Sequence, residues 1–319
     1  MSTKEQFIQL NEFLKSRIIG QESLVHKMII ALLADGHLLV EGAPGLAKTR
    51  AIKELSTAME GSFHRVQFTP DLLPADLTGT EIYRPQDGSF HFQKGPLFHN
   101  LILADEINRA PAKVQSALLE AMAERQITVG RESFELPPFF LVMATQNPIE
   151  QEGTYPLPEA QLDRFLMHVE VGYPSHDAEA QILAVNRQEA LSGEPPKALS
   201  ISQEHLFAAR KEVLTVHMAP EVEQYLIQLI IATREPSQHA PELANYIEYG
   251  ASPRATIALD RCARAQAWLD DRDYVTPGDI QAILGEILRH RIILSYQAEA
   301  EGVSTNDVIS KLIHLVPTP

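Results

Sequence analysis

A short run of small residues between an apolar strand and a helical pattern constrains the fold of this 319-residue chain most strongly. The run, EGAPGLAKTR at 41–50, nearly fits the phosphate-binding pattern G-x-x-x-x-G-K-[ST]. Gly42, Lys48 and Thr49 are in place, but Ala47 occupies the position of the second glycine. Because backbone N–H groups of such a loop converge on phosphate oxygens at a helix N-terminus, the run predicts a nucleotide site.

Each part of this loop has an expected role. Lys48 is expected to reach the β- and γ-phosphates, and Thr49 to offer its hydroxyl to Mg²⁺. Ala47 is expected in the first helical turn with negative φ, where a β-carbon fits, whereas Gly42 and Gly45 need glycine's freedom. A plain strand–turn–helix of small residues remains the alternative. The predicted nucleotide contacts are Gly42, Ala43, Pro44, Gly45, Leu46, Ala47, Lys48 and Thr49.

Apolar runs alternate with helical patterns over the first half of the chain. Helices are predicted at 48–60 and 110–124, and the runs at 37–42, 63–68, 101–106, 139–145 and 165–171 predict strands. Several of the runs are almost continuously apolar, which is typical of a parallel sheet covered on both faces. The pattern predicts an α/β doubly wound sheet.

Two segments interrupt the alternation, and strands are expected to stop after about residue 172. Segments 79–98 and 125–138 predict hairpins, with turns at Asp87-Gly88 and at Gly130. Amphipathic helices are predicted beyond them at 175–191, 221–235, 253–271 and 276–294, the last opened by Thr276 and Pro277. We therefore expect an α/β domain over 1–172 and a helical domain over 173–319.

Polar residues follow two of the predicted strands. Asp105 and Glu106 end the apolar run LILADE, and ligands of open α/β sheets bind at this edge. Asp105 is a candidate Mg²⁺ ligand through water, and Glu106 a candidate base for the attacking water. A strand running into solvent is the alternative. Asn147 follows the strand at 139–145, where its amide could orient water or could merely precede a turn at Pro148.

Composition bears on the location and partners of the protein. The net charge of −15 opposes sequence-independent binding to nucleic acid, which depends on lysine and arginine. The chain has no apolar run long enough to span a membrane, and its polar first residues predict no export signal. Cys262, the single cysteine, excludes an internal disulfide and fits a reducing compartment. We therefore expect a cytoplasmic protein without membrane insertion.

Longer strings add a family resemblance that covers nearly the whole chain. GAPGLAKT, LILADE and ATQNP resemble the AAA+ ATPases. QFTPDLLPADLTG at 67–79, DEINRAPAKVQSALLEAMA at 105–123 and NPIEQEGTYPLPEAQLDRF at 147–165 resemble the MoxR family in particular. That family itself carries GLAKT, so Ala47 resembles a family trait. The resemblance implies an AAA+ phosphate-loop domain with hairpin insertions, followed by a small all-helical lid domain.

The resemblance also implies roles for individual residues. The loop at 42–49 matches Walker A, Asp105 and Glu106 match Walker B, and Asn147 matches the first sensor. Arg164 in LDRF matches the arginine finger, which relatives insert into a neighbouring subunit's site; by itself it would be a surface arginine at a helix end. Arg254 matches the second sensor, acting either on its own nucleotide or on a neighbour's. Arg109 is a further candidate for the subunit interface.

The two insertions match segments that face the central pore in related rings. The first carries Tyr83, Phe90, His91 and Phe92, and the second carries Arg125, Arg131 and Glu132. These side chains either contact substrate or pack the hairpins on their own domain.

Three functions follow as hypotheses. The first is a Mg²⁺-dependent ATPase, assembled as a ring expected to have six subunits, that binds ATP or ADP and remodels, matures or activates client proteins. The resemblance points to clients with von Willebrand A domains and to a chaperone-like role. The second is a nucleic-acid motor of the related helicase branch, which the negative charge opposes. The third is a nucleotide-gated scaffold with little turnover.

Overall fold

The computed structural model describes residues 2–86, 88–130, 132–148, 153–192 and 199–319. Asp87 of the first hairpin turn, Arg131 of the second hairpin and residues 149–152 lie outside these ranges.

A five-stranded sheet forms the centre of the first half, and short hairpins lie apart from it. The strands are β1 Leu38–Gly42, β2 Phe63–Gln67, β3 Gly79–Arg84, β4 Ser89–Lys94, β5 Leu101–Asp105, β6 Gln126–Val129, β7 Glu132–Glu135, β8 Leu141–Gln146, β9 Met167–Val171, β10 Ile247–Tyr249 and β11 Ile293–Leu294. The central order is β2-β5-β8-β1-β9, and every neighbouring pair is parallel. Strand order and direction agree with the doubly wound α/β sheet expected from the sequence.

Helices surround this sheet and make up most of the second half. They are α1 Thr3–Arg17, α2 Glu22–Leu33, α3 Lys48–Ala58, α4 Pro74–Thr78, α5 Ala112–Glu124, α6 Glu159–Leu162, α7 His176–Ser192, α8 Gln203–Thr215, α9 Pro220–Arg234, α10 Pro236–His239, α11 Pro253–Leu269, α12 Pro277–Leu288, α13 Tyr296–Glu301 and α14 Thr305–Leu315. Within the described ranges, none of them is long and apolar enough to cross a membrane.

The inner strands β1, β5 and β8 are mostly apolar because both faces of the sheet are covered. Leu38 and Val40 of β1 join a core that also contains α1, α2, α3 and the helices beyond β9. Leu39, between them, joins a second core with α5 on the opposite face. Successive side chains of a strand point to opposite faces, so a strand buried on both sides shows no polar alternation.

The region after β9 is mainly helical, with one departure from expectation. Strands β10 and β11 form a short antiparallel pair, so the prediction that strands stop after about residue 172 is wrong at this point. Too few residues are involved to produce an alternating pattern. Thr276 caps α12 and Pro277 occupies its first turn, as predicted. The proposed boundary at 172/173 falls between β9 and α7, and one apolar core runs across it.

Both insertions fold as antiparallel hairpins, β3–β4 and β6–β7. Phe92 stacks on Phe134 with ring centroids 4.3 Å apart, which joins the two hairpins. Tyr83 and Phe90 contact each other near the tip of the first hairpin, and Phe90 is 68% exposed. Phe92 therefore packs within the protein, whereas the tip presents aromatic surface to solvent.

Candidate nucleotide-binding site

The loop between β1 and α3 has the shape that its glycines require. A β-carbon on Gly42 would lie 2.6 Å from the carbonyl oxygen of Val171, so a larger side chain is excluded there by lack of space. Gly45 has φ of +84°, which glycine adopts without strain. Ala47 also has positive φ, at 58°, so the expectation of negative φ for Ala47 is wrong. Helix α3 begins one residue later, and Ala47 is the left-handed residue that turns the chain into it.

The loop presents unsatisfied donors to a cleft. Within the described part of the chain, the N–H groups of Gly45, Leu46 and Thr49 have no protein acceptor. The cleft has a volume of about 410 Å³, and its walls include the loop, Asp105, Glu106 and Asn147. Several free N–H groups at the start of a helix form a binding site for anions such as phosphate.

Lys48 reaches across the same cleft. Its Nζ donates to the carbonyl oxygens of Gly42, at 2.5 Å, and Gln146, at 3.2 Å. Burial lowers the pKa of the Lys48 ammonium, and the carboxylates of Asp105 and Glu106 act in the opposite direction. These contacts hold the lysine between β1 and β8, where its charge faces the open cleft.

Asp105 ends β5 and is held by two neighbouring strands. Arg65 of β2 donates from Nη2 and Nε to its Oδ2, at 2.6 and 3.0 Å. Thr145 of β8 donates from Oγ1 to Oδ1 at 2.7 Å. Because both carboxylate oxygens already have protein donors, Asp105 suits a Mg²⁺ ion bound through water better than one bound directly.

Glu106 follows immediately in a left-handed conformation, with φ of 57°. Its N–H donates to Thr145 Oγ1 at 2.9 Å, which fixes the turn. Its Oε2 accepts from Gln67 Nε2 at 2.7 Å and from Arg109 Nη1 at 3.1 Å. Arg109, a candidate interface residue from the sequence, therefore lies against the acidic residue of its own chain.

The remaining predicted residues of this site lie where the sequence places them. Thr49 and Asn147 line the cleft, and Asn147 is buried. Arg65, Gln67 and Thr145 were not recognised from sequence. Arg65 and Gln67 alternate at the carboxyl end of a predicted strand, and that spacing was the available signal.

A second, apolar pocket adjoins the phosphate loop. It has a volume of about 230 Å³ and shares Gly45, Ala47 and Arg50 with the surroundings of the loop. Its apolar walls are Ile18, Ile19, Ile182 and Val185. Arg50 bridges it to α7 through a 2.5 Å bond to Glu189. A flat apolar group attached to the phosphates could occupy this pocket.

The two remaining candidates, Arg164 and Arg254, line a different cleft, which we call the arginine cleft. It has a volume of about 320 Å³, and its cations are Arg125, Arg164, Arg254, Arg261 and Arg291. Among the described residues, it shares none with the cleft at the phosphate loop. Arg164 donates from Nη1 to the Leu119 carbonyl at 2.6 Å, and the Arg254 side chain is 54% exposed. The structure therefore brings these two arginines together, apart from their own chain's loop.

The residues present fit a magnesium nucleotide. Open N–H donors and Lys48 suit phosphate, and the apolar pocket suits a base. Thr49 and Asp105 offer the oxygen ligands that Mg²⁺ prefers.

Comparison with known proteins agrees with this geometry. The model of the ATPase family associated with various cellular activities (AAA) matches residues 37–167, and that of the AAA lid domain matches residues 241–312. Chaperone MoxR1 of Mycobacterium tuberculosis is 44% identical to this chain, over 96% of this chain and 80% of its own length. Protein MoxR of Paracoccus denitrificans is 32% identical, over 95% of this chain and 93% of its own length.

A solved structure extends the likeness to three dimensions. The crystal structure of a candidate ATPase from Cytophaga hutchinsonii superposes with a TM-score of 0.91 at 45% identity. The match covers 99% of this chain and 96% of that one. With the phosphate loop, the strand-end acids and the helical lid in one chain, this protein is an ATPase and belongs to the MoxR family of AAA+ proteins.

Proposed function

We propose that the protein hydrolyses ATP at the cleft formed by residues 42–49, Asp105 and Glu106. The observation that carries this proposal is the convergence of open loop N–H groups, Lys48 and two carboxylates on one cleft. The loop and Lys48 bind the phosphates, and the pocket at Ile18 and Ile182 takes the adenine.

The remaining roles are to bind Mg²⁺ and to activate the attacking water. Thr49 and Asp105 hold Mg²⁺, which neutralises phosphate charge when it is bound. Glu106 accepts a proton from the attacking water, and Asn147 orients that water or the γ-phosphate. Gln67 and Arg109 fix the Glu106 carboxylate through its Oε2, which leaves Oε1 for the water.

We further propose that Arg164 and Arg254 act on a neighbouring subunit's nucleotide. Their location in the arginine cleft, outside the phosphate-loop cleft of the same chain, supports action between subunits for both. Guanidinium groups supplied by a neighbour neutralise charge that develops on the γ-phosphate, so hydrolysis depends on assembly. A head-to-tail interface that closes produces a ring, and we propose six subunits.

The work performed by the ring is proposed to be chaperone-like remodelling of client proteins in the cytoplasm. The name of the relative MoxR1 as a chaperone supports this role. Tyr83 and Phe90 at the first hairpin tip offer apolar contacts for a client, and proteins with von Willebrand A domains are the proposed class. The charge of −15 argues against the alternative of a nucleic-acid motor.

The variant Glu106→Gln tests the chemical part of this proposal. It keeps the loop, Lys48 and Asp105, so the affinity for a fluorescent ATP analogue with Mg²⁺ should stay within about threefold of wild type. Turnover should fall about 100-fold or more, because general-base catalysis contributes about 10²–10⁴. The matched control is Glu170→Gln, which removes a carboxylate bound by Arg289 and Asn306 elsewhere on the sheet. Wild-type turnover in Glu106→Gln would remove Glu106 from the mechanism.

A further inference from the structure

A buried arginine side chain makes several of the bonds that join the segment carrying Arg164 to the helical region. The Arg291 side chain is 2% exposed, and its Nε donates to Asp163 Oδ1 at 2.7 Å. Its Nη2 donates to the Phe165 carbonyl at 2.6 Å, and its Nη1 to the Leu166 carbonyl at 3.2 Å. One guanidinium thus binds residues on both sides of Arg164, which limits how far that residue can move.

The other oxygen of Asp163 connects the same segment to Arg254. Asp163 Oδ2 accepts from Ser252 Oγ at 2.9 Å and lies 3.7 Å from Arg254 Nη1. Ser252 is the N-cap of α11, and Arg254 lies in the first turn of that helix. The Asp163 carboxylate therefore has direct contacts to both Arg254 and Arg291, at the junction between the two regions of the chain.

We infer that Asp163 and Arg291 are positioning residues, which hold Arg164 and Arg254 in a fixed mutual arrangement so that both reach a neighbour's nucleotide together. This inference rests on the proposed action of the two arginines between subunits. Asp163 and Arg291 do not touch the nucleotide in this scheme; they act through the residues they hold.

The ion pair between Asp163 and Arg291 is better suited to positioning other residues than to stabilising the fold. Burial lowers the pKa of Arg291, and the hydrogen bond and charge of Asp163 oppose that shift. Removing two charges from water costs about as much as their attraction returns, so a buried ion pair adds little net stability. The pair does fix the relative positions of the groups it joins, because the N–H donors of a planar guanidinium point in fixed directions. A misplacement of about 1 Å in a reacting group costs about 100-fold in rate.

Two variants disturb this arrangement to different extents. Arg291→Lys keeps the charge but loses the fork that reaches Asp163, Phe165 and Leu166 at once. Asp163→Asn keeps the shape and an acceptor for Arg291 but loses the charge that faces both Arg254 and the buried Arg291. Glu170→Gln is again the control, because its Arg289 contact also joins the sheet to the helical region but does not line the arginine cleft.

The test is complementation between subunits that carry different defects. Lys48→Ala has a defective loop and sound arginines, whereas Arg164→Ala has a sound loop and no finger. Arg291→Lys and Asp163→Asn should unfold at lower denaturant concentrations than wild type, because each disturbs a buried ion pair. Under native assay conditions both should bind the ATP analogue within about threefold of wild type and lose about tenfold or more of kcat. When either variant is mixed with Lys48→Ala under subunit exchange, activity should recover, because Lys48→Ala subunits supply sound arginines. When either is mixed with Arg164→Ala, activity should not recover, because neither partner supplies a working finger.

Each other result overturns the inference. Recovery with Arg164→Ala but not with Lys48→Ala would place the defect in the variant's own loop. Full activity in both variants, or loss of nucleotide affinity and stability together, would leave Asp163 and Arg291 with a purely structural role or none. The pair Lys48→Ala with Arg164→Ala is measured alongside: if that pair fails to recover activity, the proposed action between subunits fails. If that pair recovers activity but Arg291→Lys and Asp163→Asn do not behave as expected, only the inference about positioning fails.

Discussion

Replacing Lys48 by alanine should weaken ATP binding by about 10- to 30-fold. A charge-assisted contact of an ammonium with phosphate contributes about 1.5–3 kcal/mol. The lysine already donates to Gly42 and Gln146, and bound phosphate must compete with those two carbonyls. The net loss therefore lies near the lower end, at about 1.5–2 kcal/mol, which corresponds to the stated change in Kd.

Calorimetric titration of ATP with Mg²⁺ measures this change directly. Lys53→Ala is the matched control, because Lys53 is exposed on the same helix and does not line the cleft. Its Kd should equal that of wild type. An unchanged Kd in Lys48→Ala, or an equal loss in Lys53→Ala, would refute the assignment of the loop.

Three further results are expected. Arg65→Gln should lower the Mg²⁺ concentration for half-maximal turnover by up to about fivefold. The half-exposed Arg65 side chain contributes about 0.2–1 kcal/mol through its ion pair with Asp105, and in the variant it no longer competes with Mg²⁺ for that carboxylate. A Mg²⁺ titration of activity measures this, and an increase would contradict it. Burial raises the pKa of the Cys262 thiol to about 12, so a thiol reagent at pH 8 should react only after denaturant is added; immediate reaction of the native protein would count against a buried Cys262.

Asp279→Ala should lower the free energy of unfolding by about 2 kcal/mol at pH 7, because Asp279 binds both Thr276 and Arg272. Burial alone would raise the pKa of Asp279, but the hydrogen bonds from Arg272 and Thr276 outweigh it and lower the pKa below 3.8. The contribution is therefore complete above pH 3.8 and is lost as pH falls through the lower, folded-state value. Urea unfolding of both proteins from pH 7 to pH 3 should show the difference shrinking at the acid end; a constant difference would contradict it.

The central sheet could be predicted because its inner strands, β1, β5 and β8, are buried on both faces. All five runs recognised as strands pair in one parallel sheet, and α3 and α5 lie where helical periodicity placed them. Helix α2 was not recognised, because nearly every residue from Leu24 to Leu33 is buried and no polar face marks its period.

In the site, too, the features set by consecutive residues could be predicted, and those set by contacts between distant parts of the chain could not. The loop, Asp105 and Glu106 have motifs of a few consecutive residues, so their position could be predicted. The backbone of Ala47 could not, because its φ depends on how the loop turns into α3. Ser252 and Asp163 are bonded across 89 positions of sequence, and only the folded chain reveals that contact.

The measurement that tests the central claim most directly is the ATPase activity of Lys48→Ala and Arg164→Ala subunits mixed in varying proportions. Arg164→Ala alone should be nearly inactive, because a finger contributes on the order of 10³–10⁵ in rate. Lys48→Ala alone should also lose most of its turnover, because the lysine faces the charge that develops on the phosphates as well as binding ATP. Each head-to-tail junction joins one loop to one finger, so random exchange at equal amounts should restore about a quarter of the junctions. Activity should therefore rise and fall with composition, with its maximum at equal amounts. If mixtures at every proportion show only the sum of the two separate activities, hydrolysis does not depend on an arginine from the neighbour.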